Sequence, residues 1–101
     1  MAQKIVWTER ASSDVEAIFR YLSRRNPEAA ARILSNLFAR VELLLTYPEA
    51  GSSLSELRHE GWRKLIYRRW KVVYKVDDQA VIVGRVWPAA LGEVDLKAPL
   101  D

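Results

Sequence analysis

Ala11, Val15, Ile18 and Leu22 recur every three or four residues. That spacing lays apolar side chains along one helical face. It predicts a helix that starts after Thr8, a good N-cap, and ends near Arg25. Arg20, Arg24 and Arg25 fall late in it, where positive charge suits the negative end of the helix dipole. Asn26-Pro27 then signals a second start: Asn caps, and Pro fits the first helical position, where its missing N–H would be unpaired anyway. A longer stripe follows at Ala30, Ile33, Leu34, Leu37, Val41, Leu44 and Leu45. This second helix should reach about Thr46, a length of ~30 Å, and Tyr47-Pro48 stops it. Two helices with so short a link form an antiparallel hairpin.

Elsewhere the period changes. Lys4–Trp7 reads as a first strand. Glu49 to Glu60 is a Ser-rich loop. Trp62–Tyr67, Trp70–Val76 and Ala80–Trp87 read as three strands, with Asp77-Asp78-Gln79 as a tight turn between the last two. Pro88 ends the last strand. The tail from 88 to 101 shows no clear period. The order β-α-α-β-β-β predicts one α+β domain over residues 1–101, with a helical hairpin packed on one face of a mainly antiparallel sheet.

Alternation assigns the faces. Trp70, Val72, Tyr74 and Val76 should point at the helices, with Lys71, Val73 and Lys75 outward. In the last strand Arg85 is placed on the open face beside the lysines, which would also expose Val81, Val83 and Trp87. Such a mixture of Trp, Val and base suits a protein partner or a stacked nucleobase more than plain solvent.

Composition narrows the class. The chain has 101 residues, half of them hydrophobic, and a net charge of +3. It can build one small core and is not a disordered chain. A mildly basic balance fits nucleic acid or an acidic protein. There is no cysteine, hence no disulfide and no thiolate ligand. The start of the chain carries no signal-like apolar run, and no stretch approaches the ~20 apolar residues of a membrane helix. We expect a soluble cytoplasmic domain.

Taken together, the ordered pattern resembles the ParE/RelE superfamily of toxins from bacterial toxin–antitoxin pairs. "VWTERASSDVEAIFRYL" carries Trp7, Ala11, Asp14, Val15, Ile18 and Tyr21 at the family's spacing. "LLLTYPEAG" supplies the exit of the second helix, then Pro48 and Gly51. "WRKLIYRRWKVVYKVDDQAVIVGRV" carries Trp70, Lys71, Tyr74 and Arg85. The resemblance spans residues 4 to 87. RelE-like members cut messenger RNA in the ribosome, using basic residues on the open sheet face and a C-terminal arginine with a tyrosine or histidine. ParE-like members lack that set and are held to poison DNA gyrase.

Residue by residue, Arg63 and Lys71 match basic positions of RelE-like toxins. The C-terminal positions do not match: a second arginine would align near Leu91 and a tyrosine near Lys97, and no Arg, His or Tyr follows Arg85. RNA cleavage by 2′-hydroxyl attack needs a proton acceptor, a proton donor and positive charge for the phosphorane. The resemblance therefore implies a ParE-like toxin without catalytic residues, neutralised by an acidic antitoxin, of ribbon-helix-helix type. A RelE-like ribosome-dependent endoribonuclease with an altered catalytic set is the alternative, and a non-toxic antitoxin-binding module a third. No sequence-specific nucleic-acid binding is expected.

Candidate contact residues follow. Arg85, Trp87 and Leu91 are assigned to the target. Arg63, Lys71 and Lys75 are assigned to a basic open face touched by the antitoxin. Phe19 and Phe38, on the flanks of the helical stripes, are assigned to an antitoxin groove. Plainer readings compete. Arg63, Lys64, Arg68, Arg69, Lys71 and Lys75 include both strand parities and cannot form one patch; solvation and edge protection explain many of them. His59 reads as an exposed loop residue. Asp14 and Glu16, two apart on one helix, do not face each other, and Asp14 reads as a partner for an arginine or for the helix start. Trp7, Trp62 and Trp70 read as core or rim packing. One His and no Cys leave too few ligands for a metal site, and no cofactor is expected.

Overall fold

The computed structural model describes residues 2–54 and 60–89. Strand β1 (Lys4–Trp7) leads into helix α1 (Glu9–Ser23) through Thr8. The Thr8 hydroxyl accepts the Ala11 N–H at 3.1 Å and donates to the Gly84 carbonyl at 3.1 Å. One side chain thus caps the helix and ties its start to the sheet. Helix α2 (Pro27–Glu42) begins as expected, with the Asn26 side chain accepting the Ala29 N–H at 3.1 Å. Its last turn tightens into a 3₁₀ turn, Leu43–Leu45, a common way to satisfy terminal carbonyls. Both helices end slightly earlier than the apolar stripes suggested.

The strands after the hairpin are β2 (Ser52–Ser53), β3 (Arg63–Tyr67), β4 (Trp70–Val76) and β5 (Ala80–Pro88). The two-residue β2 was not expected; it lies in the Ser-rich loop and pairs with β3 at Lys64 and Arg63. Sheet order is β1-β5-β4-β3-β2. β1 runs parallel to β5, and the other pairings are antiparallel. The fold is α+β, two helices packed against a five-stranded mixed sheet.

The main core lies between helices and sheet. Leu34, Leu37, Val41 and Leu44 meet Val72, Tyr74, Val81 and Val83 there. Trp70, Val72 and Tyr74 face the helices as alternation predicted, while Val76, at the strand end, is 36% exposed. The opposite face is not simply open. Val73 is fully buried in a second cluster with Leu54 and Trp62, flanked by Ile82 and Trp87. Leu54 and Trp62 bracket the end of the loop, and the Leu54 N–H donates to the Trp62 carbonyl at 3.0 Å. This closure brings both side chains over Val73.

The predicted parity of β5 fails at one point. Val73 pairs with Arg85 but Tyr74 pairs with Val83, leaving Gly84 without an opposite residue. A bulge of this kind resets which face each later side chain takes. Val81 and Val83, expected on the open face, are fully buried against the helices. Val86 joins them, while Arg85, opposite Val73, and Trp87, opposite Lys71, keep the other face; Arg85 is buried there rather than open.

Candidate functional site

Beyond Trp7, β1 no longer covers the edge of β5; the Thr8 N–H makes the next bond, to the Val83 carbonyl at 3.1 Å. Asp14, on the inner side of α1, takes over that edge. Its carboxylate accepts the Val86 N–H at 2.9 Å and binds the Arg85 guanidinium through Nε at 2.8 Å and Nη2 at 3.1 Å. Two parallel charge-assisted bonds are the strongest geometry this pair can adopt. The Arg85 side chain is 10% exposed, and its guanidinium lies 4.9 Å from the centre of the Trp87 ring. Arg85 is therefore a positioning residue for β5 and Trp87, not an exposed contact on the lysine face. Arg85 Nη1 and Trp87 Nε1 are buried without a hydrogen-bond partner among the described residues.

The three expected basic contacts do not share a face. Leu65 and Tyr67 of β3 pack on the helix side, so alternation puts Arg63 there too. Its Nε donates to the Gly51 carbonyl at 3.0 Å. Lys71 and Lys75 are half-buried on the other face, where Lys75 Nζ sits 4.9 Å from the centre of the Trp62 ring, a cation–π contact. His59 and Leu91 lie outside the described residues. Among the described residues no cluster of His, Asp and Glu could hold a metal ion, and no helix is long and apolar enough to cross a membrane.

Phe38 and Phe19 are each 41% exposed, but they are not equivalent. Phe38 lines a cleft of about 460 Å³ with Ile5, Trp7, Ser12 and Val15. Trp7 and Phe38 meet edge to face, 5.4 Å apart at 89°. Phe19 stands one turn beyond Val15 on α1, outside that lining. Val6, 39% exposed on the edge strand β1, alternates with Ile5 and Trp7 and so lies on the other face of the sheet.

A second cleft, of about 560 Å³, flanks the other side of α1's buried stripe. One wall is α1 from Asp14 to Leu22, including Tyr21, and the turn after it that carries Arg25. The facing wall is the β3–β4 turn, Arg68 and Arg69. Ile18, Leu22, Ile33, Trp70 and Val86 supply the floor. The sequence reading missed this site. Tyr21 and Arg25, four apart at the end of the first helix as the sequence predicts it, were a signal. Arg68 and Arg69 are 43 or more residues away, and only folding brings them opposite.

A family model described as "ParE toxin of type II toxin-antitoxin system, parDE" matches residues 5–90. The chain belongs to the ParE toxin family. It is a toxin of a type II toxin–antitoxin system within the wider ParE/RelE group. "Toxin RelE2" of Caulobacter vibrioides is 33% identical over 90 residues, spanning 89% of this chain and 98% of that protein. A solved chain from "Chromosomal ParDE TA system from P. aeruginosa" superposes with a TM-score of 0.68 at 24% identity, covering 87% of this chain and 95% of that one. That likeness establishes the ParE fold. Membership in the family implies an antitoxin partner for this toxin.

Proposed function

We propose that this ParE-family toxin acts in the cytoplasm by occupying a surface of DNA gyrase and trapping its cleaved DNA complex, without breaking a bond itself. The observation that carries this reading is the separation of Arg63 from Lys71. The two residues that match RelE-like basic positions lie on opposite faces of the sheet, and Arg63 is engaged by the Gly51 carbonyl. Phosphorane stabilisation and proton transfer need groups that converge on one phosphate. After Arg85 the chain offers no Arg, His or Tyr to complete such a set. Trp87 and the tail beyond Pro88, including Leu91, are the surface proposed for gyrase.

The antitoxin is acidic, of ribbon-helix-helix type. Its C-terminal segment folds on the toxin with a helix against the Phe38 cleft and an extended piece along the sheet. Purified toxin, free of antitoxin, should inhibit supercoiling and produce gyrase-dependent DNA breaks, and truncation after Pro88 should abolish both. A folded protein with neither effect at excess over gyrase rules the target out.

The second reading, a ribosome-dependent endoribonuclease, draws on the relative named Toxin RelE2. Codon-specific cleavage of messenger RNA on programmed ribosomes, lost on Arg63→Ala or Lys71→Ala, would establish it in place of the first.

A further inference from the structure

Arg68 has φ of +53°, the left-handed region. For residues other than glycine this costs about 1–2 kcal/mol, and glycine or asparagine takes such positions far more readily. A two-residue connection between paired Tyr67 and Trp70 is where one of those residues is expected. An arginine stands there instead. Its guanidinium is held 5.9 Å from the centre of the Tyr67 ring, and Nε donates to the Tyr67 hydroxyl at 3.4 Å. The Tyr67 hydroxyl in turn donates to the Ile33 carbonyl of α2 at 3.5 Å. A side chain kept at a strained backbone position and steadied by its neighbours points to a use for its charge.

That charge sits on the rim of the second cleft. Across the opening Arg25 is steadied in the same way, 5.5 Å over the Tyr21 ring, and Arg69 completes the rim. Asp14 is the acidic residue in the lining, and Arg85 already neutralises it. The rim is therefore positive and the floor apolar. The α1 wall from Asp14 to Leu22 is about 12 Å long at 1.5 Å per residue, and the turn after it adds Arg25, a trough rather than a pit.

We infer that this trough docks an acidic, amphipathic peptide segment, its apolar side chains on Ile18, Leu22 and Trp70 and its carboxylates on Arg25, Arg68 and Arg69. The inference rests on the antitoxin reading above and assigns this trough to an acidic stretch of that partner, separate from the Phe38 cleft. Nucleic acid fits less well. Arg25 stacks on Tyr21 and Trp70 is 7% exposed, so the trough offers a base less ring surface than a stacking platform does.

Strain makes the test sharp. Arg68→Gly and Arg68→Asn relieve the backbone, so the melting temperature of the free toxin should hold or rise. Affinity for the co-expressed antitoxin, measured by calorimetry at low salt, should fall about tenfold, the loss of one charge-assisted bond. Arg25→Gln should weaken binding similarly. Equal affinity of wild type and all three variants overturns the inference and leaves the antitoxin reading intact. Wild-type toxin that binds no antitoxin overturns both. Weaker binding that merely tracks a lowered melting temperature also overturns it, as does a single-stranded thymidine oligonucleotide that wild type binds and the variants lose.

Discussion

Asp14 and Arg85, 71 residues apart in sequence, meet through two hydrogen bonds of 2.8 and 3.1 Å, and the same carboxylate also holds the Val86 N–H. Asp14 does for the upper edge of β5 what β1 does for the lower edge. The pair therefore couples α1 to the strand that carries Trp87.

Asp14→Ala should cost about 3 kcal/mol, since it leaves a buried guanidinium and a backbone N–H unpaired. Asp14→Asn keeps an acceptor and should cost less. Replacing both residues, as Asp14→Leu with Arg85→Met, should recover part of the loss, because no buried charge remains. Urea unfolding of the three proteins checks the order. Equal stability of Asp14→Ala and wild type would show that the pair contributes nothing.

A second joint lies at Gly51. The Tyr74 hydroxyl accepts the Gly51 N–H at 2.9 Å and donates to the Pro48 carbonyl at 2.8 Å. A Cβ on residue 51 would collide with the Lys64 carbonyl oxygen and come within 2.8 Å of the Tyr74 hydroxyl. Gly51→Ala should therefore destabilise by about 1–3 kcal/mol, the cost of forced overpacking. Tyr74→Phe, which orphans the Gly51 N–H, should fall in the range of about 1–3 kcal/mol for an unmet buried donor. Denaturant midpoints measure both. An unchanged midpoint for Gly51→Ala would mean that β2 can shift away from β3 freely.

The β4–β5 turn carries a pH signature. Asp77 Oδ1 accepts the Gln79 and Ala80 N–H groups, each at 2.8 Å. These bonds, Gln79's first, favour the carboxylate and lower its pKa from 3.8. A lowered folded value means the stabilisation is present above pH 3.8 and is lost as pH falls through the folded pKa. Asp77→Asn should remove this part of the acid dependence below about pH 4 while leaving the turn intact. An NMR titration should place the Asp77 carboxyl inflection below 3.8; an inflection at or above it would contradict the turn geometry.

Phe38 and Phe19 separate a cleft contact from mere exposure. Phe38→Glu should weaken antitoxin binding at least about tenfold, as loss of a central aromatic anchor does. Phe19→Glu, outside the cleft lining, should weaken it less. Binding assays on both, with melting temperatures to confirm folding, decide the matter. A larger loss at Phe19 would move the antitoxin helix along α1.

Where one residue's local chemistry dominates, the sequence was enough. Asn26-Pro27 marks the α2 start because capping is a contact within three residues. The two apolar stripes gave the helical faces, and alternation gave Trp70, Val72 and Tyr74 their side of the sheet, since both periods are fixed by backbone geometry. The ordered pattern from Trp7 to Arg85 was also sufficient for the family. It could not give the two-residue β2, whose partners Lys64 and Arg63 hold it in place across a long loop.

Only the tertiary structure decided the fate of the charged residues. Counting parity along β5 put Val81 and Val83 on the open face with Arg85, because a bulge leaves no mark in the period itself. Gly84 hinted at one, but the register shift exists only in the pairing of β4 with β5. The same holds for Val73, which alternation sent to solvent and which Leu54 and Trp62 cover from a loop. It holds too for the trough of Arg25, Arg68 and Arg69. Side-chain direction is local and can be read along a chain. Which charges meet, and which faces are covered, depends on contacts between residues far apart in sequence, and those form only when the sheet and the helices close on one another.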